Sequence, residues 1–331
     1  MRIQYYDLLR AIAIVFVVGI HLLKVPSDVT DIDLYILLPI RQAINLAVPL
    51  FLAISGFFLA NKDLTSTNKY FSFLRPQISR VLLPYACWGL IYSLFYLLLK
   101  EPLIEVAFRL ITFQIAVPFY FIALIIQYYI LLPWMQKLGS SLTGLRVSVL
   151  VSLISCIVIY YLRYILKISL PTVLYAGIFP TWISFFVLGI YVKKNGVKSS
   201  NISLIIFSLL FFTLSILETV WLANKYGQTL EAFTAVKASS FLYSFAVIAC
   251  LFKQNKEKIS STLAYIGKVS FGIFFAHMLV YVIVNALIPK SASESIIVQF
   301  GLMFIVIGIC TIMGIISRKI NLNAAQKYLG F

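Results

Sequence analysis

Ten apolar runs, most of them near the length of a bilayer-spanning helix, follow one another along this chain with only short polar breaks. They occupy residues 8–25, 35–60, 81–99, 118–135, 145–162, 170–192, 202–223, 238–252, 270–288 and 296–316. A helix needs about 20 largely apolar residues to cross the hydrocarbon core of a membrane. Composition agrees: 62% of the 331 residues are hydrophobic and 11% are charged, against about a quarter charged in a soluble domain. The mean hydropathy is +0.99. So little polar surface cannot cover a globule in water. The expected fold is all-α, a polytopic transmembrane bundle of about ten helices forming a single membrane domain over residues 1–331. The eighth run is short. Residues 103–117 are apolar but carry Glu105 and Arg109, so they read as an interfacial or re-entrant segment or as a further span.

The net charge of +16 could invite a nucleic-acid reading, but its distribution argues for topology. With ten spans and the N-terminus inside, the inner segments collect Arg2, Arg10, Lys62, Lys69, Arg75, Arg80, Lys137, Arg146, Lys193, Lys194, Lys198, Lys253, Lys256, Lys258, Lys268, Arg318, Lys319 and Lys327, which is 18 of the 27 basic residues. Lysine and arginine favour the cytoplasmic side, so both ends are expected inside a plasma or inner membrane, with lipid and not nucleic acid as the surrounding partner. Arg2 and Arg10 before an apolar run resemble a signal peptide, but Lys24-Val25-Pro26-Ser27-Asp28 offers no small-residue cleavage site, and a retained first helix is expected. Cys87, Cys156, Cys250 and Cys310 each sit inside an apolar run and read as small core residues. Two histidines in separate runs and dispersed cysteines give no metal-ligand spacing. There is neither a phosphate-cradling glycine loop nor a Gly-x-Ser-x-Gly elbow.

Chemistry concentrates in the first run. Arg10 and His21 are eleven residues apart, which on a helix is three turns plus about 20°, so they share a face about 16 Å apart along the axis. Arg10 then lies at the inner boundary and His21 well into the membrane. Asp7, one turn before Arg10, can pair with it. Ionisable groups within a membrane are costly and mark functional sites, and histidine can serve as a base near neutral pH. The structural alternatives are an inside-positive anchor for Arg10, and for His21 a helix–helix hydrogen bond or a residue snorkelling near the outer interface. The only other histidine is His277, either a second site group or a packed core residue.

Five blocks in order carry a resemblance. They are Asp7-Leu8-Leu9-Arg10 followed by His21; Val48-Pro49-Leu50-Phe51-Leu52-Ala53-Ile54-Ser55-Gly56-Phe57; Phe73-Leu74-Arg75 with Ser79-Arg80-Val81-Leu82-Leu83-Pro84-Tyr85, taken as a basic loop before the third helix; Phe185-Phe186-Val187-Leu188-Gly189; and Ser270-Phe271-Gly272-Ile273-Phe274-Phe275-Ala276-His277. Together they resemble the integral-membrane acyltransferase family 3. Two positions depart from its pattern: Pro49 stands where many members are acidic, and Pro118-Phe119-Tyr120-Phe121 where many begin the fourth helix with His-x-Trp-Phe.

The resemblance implies an enzyme that moves an acyl group, often acetyl, from cytoplasmic acyl-CoA to a hydroxyl of a surface or lipid-linked glycan, in a subgroup without the extracellular hydrolase-like extension. Acyl-CoA is then a donor substrate, and no bound cofactor is implied. His21 would be the general base and Arg10 a phosphate ligand or donor-orienting group. Arg75 and Arg80 would meet the nucleotide phosphates, since the arginine fork suits them. Asp7, Ser55, Ser270 and His277 are supporting candidates, although Ser55 and Ser270 read first as groups that hydrogen-bond between helices. Gly56 and Gly272 are candidates for close helix approach. A covalent acyl-histidine, a carrier or exporter of glycan or glycolipid, and association into homo-oligomers stay open.

Overall fold

The computed structural model describes residues 4–24, 32–226, 232–254, 260–289, 292 and 295–331, with no side-chain description for 32–34. Arg2, Lys256 and Lys258, used in the charge reading, therefore lie outside the described residues. Those described are helical, with no strand among them. In chain order the helices are α1 (Gln4–Leu22), α2 (Ile32–Ile44), α3 (Ala47–Leu59), α4 (Thr67–Leu98), α5 (Leu103–Ile111), α6 (Tyr120–Ile130), α7 (Leu132–Leu138), α8 (Leu142–Tyr160), α9 (Thr172–Tyr175), α10 (Phe179–Asn195), α11 (Asn201–Tyr226), α12 (Ala238–Lys253), α13 (Ser261–Asn285) and α14 (Ile296–Ile320). A hook over residues 321–331 follows.

Among the described residues, seven helical stretches are long and apolar enough to cross a membrane, or eight if the pair α6–α7, bent by 73°, is one span. Each of the ten apolar runs is largely helical, but two fall on shorter helices: α10, with 17 residues, and α12, with 16. The segment 103–117 is resolved against spanning. Helix α5 has nine residues, about 14 Å against a hydrocarbon core of about 30 Å.

Helix α4 departs from the expected loop. The basic stretch before the third span is helical and continuous with it through 32 residues. Ser66 starts it by accepting from the Lys69 N–H at 3.3 Å, an N-cap that satisfies an otherwise orphan donor. At about 48 Å, α4 exceeds the bilayer core, so its first turns can carry Arg75 and Arg80 beyond the apolar region on a rigid support.

Close backbone approach sets the centre of the bundle. A Cβ on Gly56 would stand 2.0 Å from the Phe186 carbonyl oxygen, and one on Gly189 would stand 1.9 Å from that of Ala53. Glycine on both sides lets α3 and α10 touch backbone to backbone. Gly267 does the same for α13, where a Cβ would meet the Asp7 carbonyl oxygen at 1.8 Å. Asp7 lies beside Gly267 at one end of this pair and His21 beside His277 at the other, so α1 and α13 run parallel. By contrast only 17% of the α11 window is buried, against 61% for α1 and α13. Helix α11 is a lipid-facing outer element.

Two cations outside the inner-face set, Lys237 and Arg41, are buried. Lys237 donates to the carbonyls of Ser215 and Ala232 at 3.1 and 3.2 Å and to the Thr219 hydroxyl. Arg41 donates to the Ile20 carbonyl. A buried ammonium or guanidinium survives where oxygen acceptors replace water. All four cysteines are unpaired.

Candidate active site

One large cavity, about 770 Å³, opens inside the bundle, bounded by α1, α3, α4, α6, α13 and the hook. Helices α1, α3 and α6 present mainly one face to it, while α4 lines it over a broader arc from Pro76 to Leu83. Helix α3 contributes Val48, Phe51 and Ser55, spaced by three and four residues; α6 contributes Phe121, Ile125 and Tyr129, spaced by four. These are the intervals that place side chains on one stripe of a helix. Helix α1 contributes Arg10, Val17, Ile20 and His21. The cavity therefore follows α1 for at least the distance between Arg10 and His21, about 16 Å by helical rise.

The cavity is polarised along that length. Among the described residues its charged lining groups are Arg10 (α1), Arg80 (α4) and Lys327 (hook), with no carboxylate. Between them and His21 the wall is mainly apolar, with Val17, Phe51, Phe121 and Phe274. Arg10 is held from both sides: Asp7, itself buried, accepts from its guanidinium at 2.9 Å, and the Phe58 ring lies 5.0 Å from the guanidinium carbon, a cation–π distance.

At the other end the rings of His21 and His277 stand 5.5 Å apart, centroid to centroid. His277 is fully buried. Its Nδ1 lies 2.9 Å from the Phe274 carbonyl oxygen and 3.1 Å from that of Ile273. Both neighbours are acceptors only, so Nδ1 carries the proton and Nε2 presents a lone pair. Nε2 has no hydrogen-bond partner among the described residues. Next to it, the Tyr92 hydroxyl donates to the Phe275 carbonyl at 3.0 Å and accepts from the Leu279 N–H at 2.9 Å. Those are groups that an α-helix pairs with each other, so Tyr92 ties α4 into the backbone of α13 around His277.

Of the residues singled out by sequence, Arg10, His21, Ser55, Arg80 and Ser270 line this cavity. Asp7 acts behind Arg10. His277 lies behind His21 and does not line the cavity. Arg75 is exposed and outside the lining. Ser55 donates to the Phe51 carbonyl of its own helix at 2.9 Å and not across to another. Gly272 packs beneath the Phe331 ring and not against a helix backbone. Sequence reasoning missed Lys327, Gln326 and Asn323, which enter from the hook, and Arg41, whose contact with the Ile20 carbonyl brings a buried cation beside His21. Lys327 gave no signal beyond one more inside-positive charge. Among the described residues no group of three or more histidine, cysteine or acidic side chains is placed to hold a metal ion.

A family model described as an acyltransferase domain, of acyltransferase family 3, matches residues 3–315. The chain belongs to that family. It is accordingly a multi-pass membrane acyltransferase. None of the curated proteins and none of the solved structures matches it significantly. The matched range includes Arg10, His21, Arg80 and His277, and it stops before the hook.

Proposed function

We propose that this acyltransferase moves an acyl group, acetyl in the simplest case, from cytoplasmic acyl-CoA to a hydroxyl of a surface or lipid-linked glycan, with His21 as general base. The supporting observation is the polarised cavity: cations at one end, a mainly apolar passage, and His21 about 16 Å along it. In this reading the nucleotide phosphates sit with Arg80 and Arg10. The pantetheine arm runs along the apolar wall and brings the thioester to His21. In the N-in and C-in orientation expected from the charge distribution, the cationic end faces the cytoplasm, where acyl-CoA is found.

The chemistry balances without a further reactant. A ring nitrogen of His21 takes the proton of the acceptor hydroxyl as its oxygen attacks the thioester carbonyl carbon. The C–S bond breaks, the ester forms, and the proton passes from the imidazolium to the departing CoA thiolate. His277 acts as a positioning residue. With its Nδ1 proton committed to two carbonyls, its Nε2 can accept an N–H from His21 and so direct the basic nitrogen of His21 into the cavity.

Radiolabelled acetyl-CoA given to the reconstituted protein with candidate glycans should yield labelled glycan. Glycan flux across vesicles without label transfer would favour a carrier instead. His277→Gln should lower kcat by about ten- to a hundredfold through misorientation while KM for acyl-CoA stays the same. A parallel fall in thermal stability with no selective loss of kcat would assign His277 to packing alone. Arg80→Gln should raise KM for acyl-CoA by about tenfold, the value of one charge-assisted hydrogen bond, with kcat little changed. An unaltered KM would remove Arg80 from the donor site.

A further inference from the structure

The hook over residues 321–331 lies beyond the range matched by the family, yet it supplies Asn323, Gln326 and Lys327 to the cavity wall. Its position is fixed at several points. Asn321 caps its first turn by accepting from the Ala324 N–H at 2.9 Å. Trp88 of α4 donates through Nε1 to the Leu329 carbonyl at 3.1 Å. Gly330 adopts a φ of 76°, a conformation that glycine takes without penalty. The Phe331 N–H then closes back on the Ala325 carbonyl at 3.1 Å. The Phe331 ring is buried in a slot floored by glycine: a Cβ on Gly272 would meet it at 2.2 Å and one on Gly314 at 2.8 Å. The sequence thus leaves out two side chains where this ring lies. The hook is locked to α4, α13 and α14, and Lys327 stands exposed on it, in the same cavity as Arg80.

We infer that the hook is a fixed wall of the donor site and that Lys327 binds a phosphate of the acyl-CoA. The inference rests on the donor reading above. An ammonium on a flexible stem meets phosphate as a point charge, complementing the fork of Arg80 in the same cavity. The charged lining residues among those described are all cations: Arg10, braced by Asp7, Arg80, and Lys327, whose Nζ lies 5.0 Å from the Tyr328 ring, so Lys327 adds a third positive group to the end where a polyanion would sit.

The test is CoA binding by calorimetry to the full-length protein in nanodiscs, beside the same titration with acetyl-pantetheine, which lacks phosphate. Lys327→Gln should weaken CoA about tenfold, leave acetyl-pantetheine unchanged, and be rescued by Lys327→Arg. Phe331→Ala should reproduce the loss with Lys327 intact, because the hook is released. If the native protein binds no CoA, the donor reading falls and the hook inference with it. If the native protein binds CoA and Lys327→Gln binds it as tightly, or loses both ligands equally, the phosphate contact alone is overturned. CoA binding by Phe331→Ala at the native strength would show that the hook is not a fixed wall.

Discussion

Replacing His21 by alanine is expected to abolish acyl transfer, with a loss of about a hundred- to ten-thousandfold, the range a positioned general base supplies. The protein should still insert, fold and bind donor, because the ring lines a cavity and its loss leaves the close glycine contact between α1 and α13 in place. The measurement is single-turnover transfer from radiolabelled acetyl-CoA, with binding of CoA followed separately. Near-native transfer by His21→Ala would remove His21 from the chemistry. The same experiment addresses the covalent alternative. A base leaves no labelled protein during turnover, whereas an acyl-histidine would carry label from the donor before the acceptor is added. His21→Ala should remain inactive in both cases, so the labelling pattern decides between them.

The second large effect is expected from Gly267→Ala. The added methyl would lie 1.8 Å from the Asp7 carbonyl oxygen and 2.6 Å from its carbon. Both are backbone atoms, so no side chain can turn aside to make room. Helix α1 must move away from α13, and that separation shifts Arg10 and His21 together, since both are on α1, and opens the spacing between the two histidine rings. Overpacking a well-fitted interior costs about 1–3 kcal/mol, and contact with backbone belongs at the upper end. Thermal unfolding in detergent should show a clear fall in Tm, and transfer should fall with it. Gly301→Ala is the matched control. A Cβ there meets nothing within 4 Å, and alanine favours a helix by about 1 kcal/mol over glycine, so its Tm should hold or rise. Equal melting temperatures for the two variants would mean that α1 and α13 do not pack as closely as described.

The contrast between these variants separates two requirements. His21→Ala should remove chemistry and leave the bundle; Gly267→Ala should loosen the bundle and lose chemistry as a consequence. The polarised cavity needs both, because Arg10 and His21 are carried by the same helix, which the Gly267 contact holds against α13.

Much of this was legible in the chain itself. Hydropathy is a local property, so runs of about 20 apolar residues declare a helical membrane protein without knowledge of any contact. The spacing of Arg10 and His21 is also local: eleven residues on one helix share a face whatever surrounds it. The order of short blocks from Asp7 to His277 was enough for the family. Tertiary structure decided what depends on neighbours distant in sequence. It buried Arg41 and Lys237, because carbonyls from other segments replace water around them. It made the stretch around Arg75 and Arg80 part of a 32-residue helix and brought only Arg80 to the cavity. It set His277 behind His21 across a parallel helix pair and fixed its proton by two carbonyls. It also folded residues 321–331 back to place Lys327 beside groups more than 200 positions earlier. Periodicity and charge count register what each residue is and which face of its own helix it shares; which faces meet is decided by the glycine contacts and buried hydrogen bonds that form only when the helices pack.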